Sequence, residues 1–330
     1  MKTGMFKKHN PKDKITKISN VQYDKTATCP TWNKFLEEVF EGKKGLINFV
    51  QKLVGHSLTG DVSEQIWVFL HGHGSNGKST FIATIQKIIG DYSKKTDIQT
   101  FNEKDKESGG NSPEIAELPG VRFLFASETR QGKAFDTGKI KDMTGGETLR
   151  ACAKYGHPFN FFPQFKIWIS GNHKPIIKDS TYSSWRRICL IPFNRTFSKS
   201  DQDKKLPDKL NVEMSGILNW AIEGCLNWQK EGLEFPKEVL EATSEYQVSQ
   251  DKLAPFITEK CITEKRQSIL FKTLYYTYKL WCDNNNENPI SKPAFMEAIQ
   301  EREFKKRIGT GRVTFIDGIN ILQPILPSKD

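Results

Sequence analysis

Apolar positions along this chain change their spacing three times. From Thr31 to about Ser57 they recur every three or four residues. Trp32, Phe35, Leu36, Val39 and Phe40 make one stripe, and Leu46, Phe49, Val50 and Leu53 another. That spacing predicts two short helices, with Gly55 and Gly60 marking their exit. From Ile66 to about Phe193, continuous apolar runs alternate with helical spacing, which predicts an α/β sheet. Ile66–Leu70, Val121–Ser127, Phe165–Ser170 and Arg187–Phe193 read as strands. Residues 206–230 read as a helix that buries Leu210, Met214, Ile217, Leu218, Trp220, Ala221 and Cys225. A boundary is expected between Gly232 and Leu253. From Ser268 the pattern is helix, turn, helix, hairpin, with Ser291 as N-cap of the second helix and Gly309-Thr310-Gly311 at the hairpin turn. Residues 1–27 are lysine-rich and aperiodic, and no internal repeat is seen.

The first strand runs into Gly72-His73-Gly74-Ser75-Asn76-Gly77-Lys78-Ser79. Beyond it Phe81, Ile82, Ile85, Ile88 and Ile89 fall at helical spacing until Gly90. Strand, glycine loop and helix in that order are the context of a phosphate-binding loop. Glycines let backbone N–H groups crowd a polyanion, and the helix points its positive end at the same place. Gly72, Gly74, Ser75, Asn76, Gly77, Lys78, Ser79 and Thr80 are therefore the candidate ATP-binding residues. Lys78 is expected on the β- and γ-phosphates and the Ser79 hydroxyl on Mg²⁺.

Composition narrows the partners. Lys and Arg number 49 against 39 for Asp and Glu, a net charge of +10, and the pI is near 9.1. That excess suits a nucleic acid, as it suits plain solubility. Six cysteines include no C-x-x-C pair, so neither a zinc site nor a disulfide framework is indicated, and a reducing cytoplasm fits. No run of eighteen apolar residues suggests a membrane span. The basic N-terminus lacks the apolar segment of a signal peptide.

Three further features carry chemistry. Glu128 ends the strand Val121–Ser127, where a carboxylate serves beside Mg²⁺ and the attacking water, or is simply a surface glutamate. Asn172 ends a later strand, where its amide touches a γ-phosphate or merely makes a turn. Arg186 and Arg187 follow, either as solubilising charge or as a finger to a neighbour's ATP.

In order and spacing this set resembles the superfamily 3 (AAA+) helicases, specifically the helicase half of phage and plasmid primase–helicases of the poxvirus type. The resemblance rests on Cys29-Pro30-Thr31-Trp32, Gly77-Lys78-Ser79-Thr80, Ala126-Ser127-Glu128-Thr129 and Thr144-Gly145-Gly146-Glu147. It continues through Phe165–Pro175 and Trp185–Phe193 and covers nearly the whole chain. It implies a P-loop ATPase with a parallel sheet flanked by helices, a small N-terminal helical segment and a C-terminal winged-helix domain. The implied divisions are a basic leader or connector at 1–27, a helical oligomerisation segment at 28–62, the ATPase core at 63–232, a linker and helix at 233–267 and the winged helix at 268–330.

By resemblance, Glu128 is the Walker B carboxylate and a Mg²⁺ partner with Ser79, and Asn172 is sensor 1. Arg186 or Arg187 is an arginine finger, which implies a homo-hexameric ring. The segment between Gly146 and Phe162 resembles the hairpin that grips single-stranded DNA. Lys154, followed by Tyr155 and His157, is its expected tip. In the tail Lys305, Lys306, Arg307 and Arg312 make a candidate duplex-binding face, diluted by Glu297, Glu301 and Glu303.

Ser127 departs from the acid found there in many such ATPases, and Glu147 stands where the family usually has Asp. The primase or initiator domain often found upstream is missing, so a split-gene helicase or a shortened product is expected, with a separate primase or initiator as a possible partner. The implied activity is ATP-driven, 3′-to-5′ unwinding of forked DNA for a phage, plasmid or other mobile element, in a host cytoplasm. An ATP-gated DNA-binding initiator that does not unwind is the alternative. A metabolite kinase fits less well, since it needs an acceptor base and a lid.

Overall fold

The computed structural model describes residues 6–103, 113–127, 133–179, 181–251 and 253–322. The chain divides between Tyr246 and Gln247 into two compact units.

In the first unit, α1 (Pro30–Val39) and α2 (Lys44–Ser57) precede β1 (Trp67–His71), the glycine loop and α3 (Lys78–Ile89). There follow β2 (Ser93–Lys95), α4 (Pro113–Ala116), β3 (Phe123–Ser127) and α5 (Thr137–Thr144). A hairpin of β4 (Leu149–Cys152) and β5 (Pro158–Phe161) leads to β6 (Lys166–Gly171), α6 (Tyr182–Trp185) and β7 (Ile188–Pro192). Then come α7 (Leu206–Val212), α8 (Met214–Glu231) and α9 (Lys237–Gln250), the last running across the division.

Five strands form one parallel sheet in the order β2-β3-β6-β1-β7. Its central strands are covered on both faces, which is why they read as continuous apolar runs. Their alternate side chains feed two separate cores. Val68, Leu70, Trp168, Cys189 and Ile191 join the helical side with α1, α2, α3 and α8. Trp67, Phe69, Ile167, Ile169, Ile188 and Leu190 join the other face.

The N-terminal helices are part of this unit. Trp32 of α1 is fully buried between Phe35, Phe81 of α3 and Trp220 of α8, at ring distances of 5.4, 5.6 and 5.5 Å. Helices α2 and α8 touch backbone to backbone. A Cβ on Gly55 would lie 2.0 Å from the Cys225 nitrogen, and one on Gly224 2.1 Å from the Gln51 oxygen. The turn after α2 is fastened from the sheet: Arg122 Nη1 donates to Leu58 O at 2.7 Å, and Lys166 Nζ to the carbonyls of Thr59, Asp61 and Gln164.

The single helix expected over 206–230 is two, parted at Glu213. The break has a use: the Glu213 carboxylate accepts from the N–H groups of Thr31 and Trp32 at 3.0 and 3.1 Å. A negative group thus meets the unpaired donors at the start of α1.

After the end of α9 the second unit continues with α10 (Ala254–Lys260), β8 (Cys261–Ile262) and β9 (Ser268–Leu270). Next come α11 (Phe271–Asn284), α12 (Lys292–Glu301), β10 (Lys305–Ile308), β11 (Thr314–Asp317) and β12 (Asn320–Ile321). The hairpin β10–β11 pairs antiparallel with β9, and β12 with β8. Ser291 caps α12 through the Ala294 N–H. Phe256, Tyr278, Phe295, Ile299 and Ile316 fill its core. Among the described residues no helix is long and apolar enough to cross a membrane.

Candidate nucleotide and nucleic-acid sites

The glycine loop sits where β1 leaves the sheet between β6 and β7, and its glycines are required by contact. A Cβ on Gly72 would lie 2.2 Å from Asn76 Nδ2 and 2.3 Å from Phe193 O. On Gly77, at φ +87°, it would lie 2.8 Å from Val39 and 3.1 Å from Phe35 of α1. Gly74 (φ +97°) and Ser75 (φ +45°) are also left-handed. The loop is braced from outside: Asn76 Nδ2 donates to Phe193 O at 3.2 Å, and Phe197 N to Ser75 O at 2.7 Å.

Lys78 opens α3 and is 6% exposed. Its Nζ donates to Gly72 O at 2.7 Å, to Asn76 Oδ1 at 3.0 Å and to Asn172 Oδ1 at 3.2 Å. Asn172 follows β6, the strand hydrogen-bonded beside β1, so parallel pairing delivers it to the loop. Ser79 is exposed to the same cleft of about 1280 Å³, which Ser75, Asn76, Thr80, Ser127 and Asn172 also line. Glu128 lies outside the described residues. His71, under the loop, is held down at about 4 by burial and then by nearby Lys174, so it is neutral near pH 7.

Part of this cleft has no signature in the sequence. Thr31, Lys34 and Glu38 of α1, and Asp201, Gln202 and Lys204 before α7, line it too. The helical spacing of α1 marked its apolar side; that its polar side faces the glycine loop follows only from packing.

Burial pulls the Lys78 ammonium down to about 8. A polyanion beside it favours the charged form, so binding above pH 8 takes up a proton. Apparent ATP affinity should fall about ten-fold between pH 7 and pH 9. Titration calorimetry across that range checks this, and Lys78→Met should flatten the dependence. A flat wild-type profile contradicts it.

Arg186 and Arg187 stand at the other edge of the sheet. β1 and β7 run parallel, with Trp67 opposite Ile188 and His71 opposite Pro192. The pair therefore precedes the sheet, while the glycine loop leaves its far edge, about 15–20 Å away along the strands. Neither arginine lines the cleft. Arg186 is exposed and donates through Nη2 to Gln65 Oε1 at 2.8 Å. Arg187 is half-buried and donates to the Ser183 carbonyl.

The expected hairpin is present as β4–β5, with Cys152 opposite Pro158. Lys154 and His157 are exposed at its tip. Tyr155, left-handed at φ +63°, is 94% exposed with the Lys154 ammonium 5.2 Å from its ring. In the second unit Lys305, Lys306 and Arg312 are exposed. Arg307 is engaged within its own sheet: Nε donates to Asp317 Oδ2 at 2.9 Å, and Nη2 to Asp317 Oδ1 and Ser268 Oγ, each at 3.1 Å. That bidentate pair leaves it less suited to a phosphate than its neighbours are.

Among known proteins, residues 70–187 match a family of unknown function, DUF5906, and residues 1–41 match "D5 N terminal like". The chain is 29% identical over 310 residues to "Putative helicase L207/L206" of Acanthamoeba polyphaga mimivirus, covering 86% of this chain and 32% of that protein. It is 25% identical over 274 residues to "Putative helicase 022R" of Frog virus 3, covering 76% of this chain and 28% of that protein. It thus spans about a third of the length of these curated relatives. The A form apo structure of the NrS-1 C-terminal region superposes with a TM-score of 0.56 at 11% identity, over 92% of this chain and 78% of that one, which shows a common fold. The mixed α/β chain with its parallel five-stranded sheet is thus similar at its N-terminus to the D5 N-terminal-like family, along most of its length to viral proteins that carry the name putative helicase, and in fold to the NrS-1 C-terminal region.

Proposed function

We propose that the chain is the ATPase part of a ring-forming motor that moves along single-stranded DNA and separates duplex. The observation that carries this is the placement of charge on one sheet. A glycine cradle holds a buried Lys78 against Asn172 at one edge, and an exposed arginine stands at the other. A chain arranged so has half of a phosphoryl-transfer site on each side, and identical copies side by side complete it.

The cradle fits ATP. The loop is open at Gly74, where a Cβ would meet nothing within 4 Å, and Lys78 offers an ammonium at the mouth of α3. Ser79 and Glu128 are assigned to Mg²⁺, which supplies charge neutralisation at the phosphates when bound. Asn172 orients the terminal phosphate through the amide that now accepts from Lys78. Arg186 is assigned as the finger, since Arg187 is half-buried against its own helix.

DNA is assigned to the β4–β5 hairpin, where Lys154 meets backbone phosphate and Tyr155 offers a ring for a base. The second unit is read as a winged helix, with α12 and the β10–β11 hairpin as its nucleic-acid face. Homologues that carry the name helicase support the reading.

Lys154→Ala is the direct test of the hairpin. It should retain ATP hydrolysis without DNA and lose strand displacement by about ten-fold or more. Hydrolysis and displacement measured side by side decide it, and normal unwinding by Lys154→Ala would overturn the assignment. Hydrolysis without displacement in the wild type, at concentrations where rings form, would favour an ATP-gated initiator.

A further inference from the structure

We infer that Gln65 is a positioning residue that couples the trans-acting arginine to the DNA hairpin, an assignment that rests on the motor reading above. Its carboxamide is divided between the two. Oε1 accepts from Arg186 Nη2 at 2.8 Å, while Nε2 donates to Gly145 O at 3.2 Å. Gly145 caps α5 and stands four residues before β4, at the root of the hairpin. One side chain thus joins the finger to the base of the element assigned to DNA.

The backbone holds that side chain in place. Gln65 is left-handed at φ +53°, a region that residues with a Cβ rarely occupy and that recurs at functional positions. Its N–H closes a turn onto Val62 O at 3.0 Å. Val62 in turn lies against Gly146, where a Cβ would be 3.6 Å from Val62 Cγ2. Two residues on, Trp67 N donates to Arg187 O at 2.8 Å. From Trp67 the chain runs straight along β1 into the glycine loop. A shift of the hairpin root is therefore felt at Arg186 through Gln65, and at the chain's own cradle through β1.

Two substitutions separate this role from gap filling. Gln65→Glu keeps an acceptor for Arg186 and removes the donor to Gly145, setting a carboxylate against a carbonyl. Gln65→Gly accepts the left-handed backbone and removes both bonds. The measurement is ATP hydrolysis with and without single-stranded oligothymidylate, alongside thermal unfolding. Both variants should melt within about 4 °C of wild type. In both, the ratio of DNA-stimulated to basal hydrolysis should drop about five-fold or more. Gln65→Glu should keep the higher basal rate, because its arginine is still oriented.

Wild-type stimulation ratios in both variants would overturn the assignment. So would a wild-type ratio in Gln65→Glu alone, since the Gly145 bond would then carry nothing. A wild-type protein whose hydrolysis ignores DNA would sink the motor reading, and this coupling with it. That outcome is distinguished by its appearance before any substitution is made.

Discussion

Lys78→Ala is expected to reduce ATP hydrolysis by at least about 10²–10³-fold while leaving the fold intact. The magnitude is that of removing one preorganised donor from a charged transition state. The side chain is poised for that role, being buried at the foot of the cleft and held by three oxygens, from Gly72, Asn76 and Asn172. Two of those acceptors belong to the loop itself and the third follows the neighbouring strand. The ammonium is therefore aimed before any nucleotide arrives. Alanine at the first position of α3 is a good helix former, and two of the acceptors it frees, on Asn76 and Asn172, belong to residues that line the open cleft, where water replaces the lysine. Melting should thus move by only a few degrees while turnover is lost. Circular dichroism melts and a phosphate-release assay check both halves. A large drop in melting temperature would make Lys78 a structural residue first.

Arg186→Ala carries the second large effect, and its signature is cooperation between chains. Hydrolysis should drop about 10³-fold, within the range for a finger supplied by a neighbour, while ATP binding changes little. The reason is geometric. Arg186 is exposed, lies at the opposite edge of the sheet from Lys78 and lines no part of its own chain's cleft. Mixing Arg186→Ala with Lys78→Ala should therefore restore measurable hydrolysis, since some sites then combine an intact lysine from one chain with an intact arginine from the next. No rescue, with each variant assembling normally, would place the whole site within one chain.

The sheet was legible because its strands are buried on both faces. Ile66–Leu70, Phe165–Ser170 and Arg187–Phe193 read as largely apolar runs, and β1, β6 and β7 lie within a residue of them. The fifth strand was not. β2 is Ser93-Lys94-Lys95, three residues at an edge whose exposure removes any apolar signal. The break at Glu213 escaped for a different reason. Apolar residues keep their spacing through it, and the carboxylate's partners are the N–H groups of Thr31 and Trp32, about 180 residues away in the chain.

The site divides in the same way. The glycine loop is local, so its residues and their order announced it. Asn172 joined it through strand pairing, which the sheet pattern implied. The polar side of α1 and the role of Gln65 depend on long-range packing and on one backbone torsion. A glutamine before a strand has no spacing to mark it, and Arg307 gave no sign that Asp317 and Ser268 would hold it.

Strand displacement on a forked duplex tests the central claim most directly. With ATP and Mg²⁺, the wild-type chain should release the labelled strand, and the Lys78→Ala protein should not. Robust ATP hydrolysis with no strand released by the wild type, at concentrations where assemblies are present, would contradict the account.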